Sequence, residues 1–312
     1  MRPAAALEYD LRMRKRYAMR AKLDAAGDDD DAWAETTKKL GKKANMLVNQ
    51  LSASQAQVAN VSKRTLAMLD QLAKIKDNDT YYHFELDAIA NHIVKQGALL
   101  RRKVACMFYV ADYAVLLCQR HPKLTEHLLG EFYAVCPLTV PRFITAPAPR
   151  DHGGAASGGA DGERSDDERL MLALGFRAKK DGGMETKEEY FGRQAGVVAL
   201  FGAFMCAAAA PGRAHPYGVA HAWEYVARVV NFRPPSSTTL LCLNAVLQVA
   251  GHALHTAYPS AMRKLMAYIA TAWMQLLDDE PAMERLSLYV QRFFAAVKAN
   301  RTIEPPDGLL YQ

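Results

Sequence analysis

The sequence predicts an all-α protein built as a stacked helical array. Three observations lead there. From about Lys38 onward, apolar residues recur at steps of three and four or their multiples, as one face of a helix requires. Proline repeatedly stands where a helix would begin, at Pro122, Pro216, Pro259 and Pro281, positions at which its missing N–H costs nothing. No stretch shows sustained alternation bounded by hairpin dipeptides, so strand signals are weak.

Taken in order, residues 1–37 read as a short basic and acidic N-terminal arm. Arg12, Arg14, Lys15, Arg16, Arg20 and Lys22 form a cationic cluster, and Asp28 to Asp31 an acidic run. Such blocks are expected to be solvated, with contact to a phosphate backbone or an acidic partner as the alternative. Residues 38–312 read as one helical domain. Its first run carries Leu40, Leu47, Leu51, Val58, Val61, Leu66, Leu69 and Leu72. A second covers about 81–119, divided near Gly97 and the Arg101-Arg102-Lys103 cluster. Shorter helices follow at about 122–134, 166–174, 186–209, 217–230, 237–256, 260–277 and 281–299. Antiparallel helices with short connections stack into an array. No exact internal repeat survives, so any repeat is structural and degenerate. The segment at about 147–167 is rich in Gly, Ala, Pro and charge and is too poor in apolar side chains to offset its ordering entropy. It is expected to be a disordered insertion within the domain, because apolar helices continue on both sides.

Half of the 312 residues are apolar and 23% are charged, in the range of a globular chain with a large core. The longest apolar stretch, Gly196 to Ala210, falls short of the ~20 residues that cross a bilayer. The N-terminal segment lacks the apolar region of a secretory signal. No membrane insertion is expected. The five cysteines, at 106, 118, 136, 206 and 242, form no CxxC pair, and read as small buried thiols in a reducing compartment. A net charge of +6 permits an acidic partner without demanding nucleic acid, and no DNA partner is expected.

Catalytic motifs are missing. There is no phosphate-binding glycine loop followed by Lys-Ser/Thr, no HExxH, no GxSxG and no zinc-type cysteine pair. His252 and His255 share a helix face, a spacing that more often reflects packing than a metal. Glu188 and Glu189 stand at a helix start, where they complement the dipole. Trp223, Tyr225, Phe232, Trp273, Tyr289, Phe293 and Phe294 lie on amphipathic helices as core candidates. They lack the basic–aromatic alternation of a base-stacking surface. The chain is expected to be no enzyme, to have no catalytic residues and to hold no metal. Its function is expected to be binding.

Ordered blocks sharpen this expectation. They are LGKKANMLVNQLSASQAQVANVSKRTLAMLDQL, AIANHIVKQ, HPKLTEHLLGEFYAVCPLTVP, LGFRAKKDGGMETKEEYFGRQAGVVALFGAF, HPYGVAHAWEYVARVVN, LNAVLQVAGHALHTAYPSAMRKLMAYI and IEPPDGLL. In this order and spacing, over about Lys38 to Gln312, the chain resembles the Gle-one (GLFG-lethal) mRNA export factors. The resemblance implies a HEAT/MIF4G-like all-α domain. It implies a non-enzymatic activator that stimulates the ATPase cycle of the DEAD-box RNA helicase of mRNA export, at the cytoplasmic face of the nuclear pore complex. It also implies a pore-anchoring FG nucleoporin as partner and, in some members, inositol hexakisphosphate as a bridging ligand. Such a ligand carries a charge of roughly −8 or more, at ~−1.5 to −2 per phosphate group, and needs Lys or Arg converging from several helices.

By the same resemblance, Lys95 in IVKQ and Lys264 in MRKLM match phosphate-contacting lysines. Lys42 and Lys43 in LGKKAN fall at a basic cluster of the family. Three departures weaken the ligand's case. Ala134 and Val135 stand where many members carry Lys-Lys, and Asn91 stands at a frequent lysine position. Read without the resemblance, Lys95 and Lys264 are also explained as solvated helix faces. Helicase binding with weak or absent dependence on inositol hexakisphosphate is therefore expected. The alternatives are a HEAT/MIF4G-like scaffold for translation factors, and a direct RNA-binding protein using the arm and the Arg101–Lys103 cluster.

Overall fold

The computed structural model describes residues 4–27, 31–75, 79–142, 165–179, 182–277 and 282–309. Twelve α-helices are present among them: α1 Ala4–Ala25, α2 Asp31–Asn49, α3 Gln55–Leu72, α4 Thr80–Leu99, α5 Val104–Arg120, α6 Lys123–Val135, α7 Asp166–Ala173, α8 Lys187–Cys206, α9 Val219–Asn231, α10 Ser237–Ala257, α11 Pro259–Tyr268 and α12 Met283–Lys298. The described residues contain no strand, only an isolated bridge between Ala178 and Met184. The fold is the all-α stacked array that the periodicity predicts.

Local chemistry sets the helix ends. The Ser54 hydroxyl accepts from the Gln57 N–H at the start of α3. Thr186 and Glu189 close a reciprocal capping box on α8, the Thr186 N–H donating to Glu189 Oε2 at 2.9 Å and the Glu189 N–H to Thr186 Oγ1 at 3.2 Å. Glu189 thus sits at a helix start as its spacing predicts. Pro122 precedes α6 and Pro259 opens α11. Pro281 lies outside the described residues. The 260–277 helix departs from expectation. The α-helix stops at Tyr268, continues as a π turn over Ile269–Trp273 and tightens to a 3₁₀ turn at Met274–Leu276. Ile269 and Trp273, both fully buried, anchor the wide turn in the core.

Helix α8 is the centre. Val197 to Phe201 and Ala203 to Met205 are all buried, so α8 is covered on every side. It packs on α4, α5, α9 and α10, while α4 also packs on α2 and α6. The first half of the array joins the second through α8. Two glycines allow the α4–α8 crossing: a Cβ on Gly97 would lie 2.9 Å from Val197 Cα, and one on Gly196 would overlap the Gly97 carbonyl. Gly97 therefore lies inside α4. The break between α4 and α5 falls at 100–103, in the turn that carries Arg101 and Arg102.

Helix α10 is long and apolar enough to span a membrane by length and composition. Its buried face, including Leu240, Leu243, Val246 and Leu254, packs against α8 and α9 as a core helix. Beyond α12 the chain returns across the body. His252 Nδ1 lies 2.6 Å from the Ile303 carbonyl oxygen. Gly308 adopts φ +89° against the Ala105 carbonyl, where a side chain would overlap.

The expectation for the first 37 residues differs from the structure. Helix α1 packs on α6 and α4, with Ala5, Met13 and Leu23 buried. Trp33, at the start of α2, is 7% exposed and stacks on Tyr81 with ring centroids 4.6 Å apart. Arg12, Arg16 and Arg20 of the cationic cluster meet carboxylates on α4 and α6, while Arg14, Lys15 and Lys22 stay exposed. Of the insertion expected at about 147–167, only residues 165–167 are described, and they open α7 through the Ser165–Glu168 capping box; the rest lies outside the described residues.

Candidate ligand and partner surfaces

Lys42 and Lys43 stand on α2 and Lys95 on α4, all exposed, on two helices that pack together. Gln96 Nε2 donates to Asn49 Oδ1 at 2.9 Å across this contact. His92 is tied to the Gly41 backbone; burial first, then the Lys95 charge, hold its pKa below the ordinary value. Met46 and Leu99 are 45% and 71% exposed, one turn beyond Lys43 and Lys95 on their helices. The surface is thus basic with an apolar pair. Beneath it lies Glu85, with no exposed area and no hydrogen-bond partner among the described residues. Burial raises its pKa to about 8, against the opposing charge of Lys43.

Lys264 is exposed on α11, which packs on α10. The three positions that depart from the family pattern lie on α4 and α6. Asn91 Nδ2 donates to Glu131 Oε1 at 2.7 Å. Glu131 is 2% exposed, and its second oxygen receives Arg16 Nη2 of α1, with Arg20 Nη2 at 3.6 Å. Ala134 and Val135 pack against the apolar core. A buried carboxylate locked by α1 therefore sits one turn before the apolar pair.

This lock is part of a longer network. Arg20 Nη2 donates to Asp87 Oδ2 at 3.0 Å, and His127 Nδ1 lies 3.6 Å from Asp87 Oδ1. Burial pushes the Asp87 carboxyl up, but the His127 hydrogen bond and the charges of Arg20, His127 and Arg16 outweigh it and hold it low. At the other end of α1, Glu8 accepts from Tyr133 Oη at 2.6 Å and from Arg228 Nη1 at 2.8 Å, joining α1, α6 and α9. None of these α1 residues was singled out as a partner of the core by their charge. The stripe Ala5, Tyr9, Met13, Arg16 and Arg20, at three- and four-residue steps, is the signal that marks the buried face.

The other expected candidates fall in structural places. The His255 ring meets Phe293 edge-on, with centroids 5.3 Å apart. Tyr225, Trp273 and Phe293 are buried, while Phe294 is 37% exposed. All five cysteines are free thiols; Cys118, Cys136 and Cys242 are buried.

Comparison with known proteins places this geometry in a family. A family model described as GLE1-like protein matches residues 15–270. The mRNA export factor GLE1 of Mus musculus is 26% identical over 231 residues, covering 71% of this chain and 30% of the mouse protein. The Arabidopsis thaliana mRNA export factor GLE1 is 23% identical over 205 residues, covering 65% of this chain and 27% of that protein. The chain thus spans under a third of the curated relatives it matches. Among solved structures, a chain of the S. cerevisiae complex of the Dbp5 C-terminal domain bound to Gle1 and IP6 superposes with a TM-score of 0.73 at 16% identity, covering 98% of this chain and all of that one. With most of its length matched by the family model and its fold shared from end to end, this chain belongs to the GLE1-like protein family.

Proposed function

We propose that this chain acts in mRNA export as a non-enzymatic activator of a DEAD-box RNA helicase, at the cytoplasmic face of the nuclear pore. The observation that carries the reading is family membership joined to an end-to-end fold match with a chain from a complex containing Dbp5. The helical array grips the helicase's two lobes and favours their separated arrangement, so that RNA or nucleotide leaves faster. This is a population shift, with no bond made by the activator. The exposed α2–α4 surface, with Lys42, Lys43 and Lys95 around Met46 and Leu99, suits an acidic partner with an apolar patch. A pore-anchoring nucleoporin belongs to the same reading.

Inositol hexakisphosphate fits this chain poorly. Lys42 and Lys43 on α2, Lys95 on α4 and Lys264 on α11 are the candidate phosphate contacts. Asn91 is engaged by Glu131, and Ala134 and Val135 are apolar, so none of the three supplies a positive charge. The helicase is therefore stimulated with little dependence on this ligand.

Turnover of a purified export helicase, measured with and without this protein and titrated with inositol hexakisphosphate, tests both halves. Stimulation is expected without the ligand and is reduced by a Lys42→Glu, Lys43→Glu, Lys95→Glu triple variant. No stimulation at any ligand concentration overturns the activator reading, and stimulation only with ligand overturns its independence. Binding to an initiation-factor helicase instead would favour a translation scaffold. Salt-sensitive RNA binding without any helicase would favour direct RNA recognition.

A further inference from the structure

A second basic site lies at the opposite ends of α4 and α6. These helices run side by side in the same direction, since His83 meets His127 and Asn91 meets Glu131. Lys95 and Val135 are near their C-terminal ends. His83 is three turns earlier on α4, about 18 Å away along the axis. There α1 roofs a cleft of about 390 Å³, within the ~300–1,000 Å³ usual for small-molecule sites.

Five cationic side chains, Arg12, Lys15, Arg16, Lys22 and Lys123, line this cleft against two carboxylates, Asp87 and Glu126. Both carboxylates are already engaged. Asp87 holds Arg20 and His127, and Glu126 is shared by Arg12 at 3.5 Å and Lys15 at 3.6 Å. Arg16 is committed to Glu131. Among the described residues, no carboxylate pairs with Lys22 or Lys123. Lys123 Nζ instead sits 3.3 Å from His83 Nε2, and His83 Nδ1 lies 3.0 Å from His127 Nε2. An ammonium can only donate, so His83 Nε2 accepts, Nδ1–H donates to His127, and His127 Nδ1–H faces Asp87. His83 thus links Lys123 to His127, and the Asp79 carboxylate lies 3.6 Å from the same His83 Nε2. Ala18 and Met19 add apolar wall.

We propose that the cleft between α1, α4 and α6 binds a small phosphorylated molecule, with its phosphate groups held by Lys15, Lys22 and Lys123. Three ammonium groups converge on one mouth from two helices, as an anion carrying more than one charge requires. The cleft lies at the N-terminal turns of α4 and α6, where the helix dipoles favour the same sign of ligand. His83 reports the balance. Burial first, then His127, Lys123 and Lys22 lower its pKa to about 4, and Asp79 alone opposes them. A bound phosphate would add to the negative charge of Asp79 and raise it. This site stands apart from the α2–α4 surface and does not depend on the helicase reading.

Inorganic pyrophosphate is the probe, added to the full chain and followed by calorimetry and by histidine NMR. Saturable binding is expected, with the His83 and His127 resonances moving and His83 titrating at a higher pH in the bound form. Lys22→Ala and Lys123→Ala, both at exposed positions, should each weaken binding on the order of tenfold, the usual loss for one charged hydrogen bond, while Lys95→Ala leaves it unchanged. The proposal fails if pyrophosphate does not bind. It also fails if Lys95→Ala abolishes binding while Lys22→Ala and Lys123→Ala do not, or if the two histidines stay unmoved at saturation. Uptake of single-stranded RNA at these residues without pyrophosphate binding would reassign the cleft and also overturn the proposal.

Discussion

Glu131 shows how one side chain converts a basic segment into part of a core. Its carboxylate, 2% exposed, holds Arg16, Arg20 and Asn91 from two helices. Removing one partner of a buried ion pair leaves the other charge uncompensated, which costs more than the pair itself contributes. Arg16→Ala is therefore expected to lower unfolding stability by about 3 kcal/mol, read by urea denaturation. Replacing Arg16 and Glu131 together by methionine should recover most of that loss, and equal losses in both variants would refute the account. Glu85 makes a different demand. Its pKa in the fold, about 8, lies above the ordinary 4.5. The stability owed to its neutral form is complete below pH 4.5 and is lost as pH rises towards 8. His83, lowered to about 4, acts in the opposite sense only below its free value of 6.5, and Asp112, raised to about 6, is spent by then. Between pH 6.5 and 8 the decline belongs to Glu85, at no more than about 1.4 kcal/mol per pH unit. Glu85→Gln should flatten it in denaturation curves taken across that window.

At the scale of elements, the α4–α8 crossing is set by the absence of two side chains. A methyl group at Gly196 would overlap the Gly97 carbonyl, so Gly196→Ala must push two core helices apart. Overpacking of this kind costs about 1–3 kcal/mol, although alanine is the better helix former. A thermal midpoint raised by Gly196→Ala would show that the helices are not in close contact. The elements themselves were readable before the structure. The starts of α6 and α11 follow from Pro122 and Pro259, because first-turn prolines act locally, whereas Pro216 stands in a turn before α9, which opens at Val219. The π turn at Ile269–Trp273 was not readable, because it answers to where Trp273 is buried and not to local propensity.

At the scale of the molecule, α1 belongs to the body. Through Glu8, Arg16 and Arg20 it ties α4, α6 and α9 together. Deleting residues 1–27 is expected to lower the urea midpoint clearly, since it uncovers Glu131 and Tyr133, and an unchanged midpoint would restore the solvated arm. By itself the sequence determined the helical class, most helix spans and the family, since periodicity, capping and ordered blocks are properties of neighbours along the chain. It also put Lys42, Lys43, Lys95 and Lys264 forward one by one. Only the tertiary structure decided that the first three lie on two helices packed together. It likewise decided that Arg12, Arg16 and Arg20 of α1 face carboxylates of α4 and α6. Charge partners more than sixty residues apart leave no local trace, because what pairs them is the packing of whole helices.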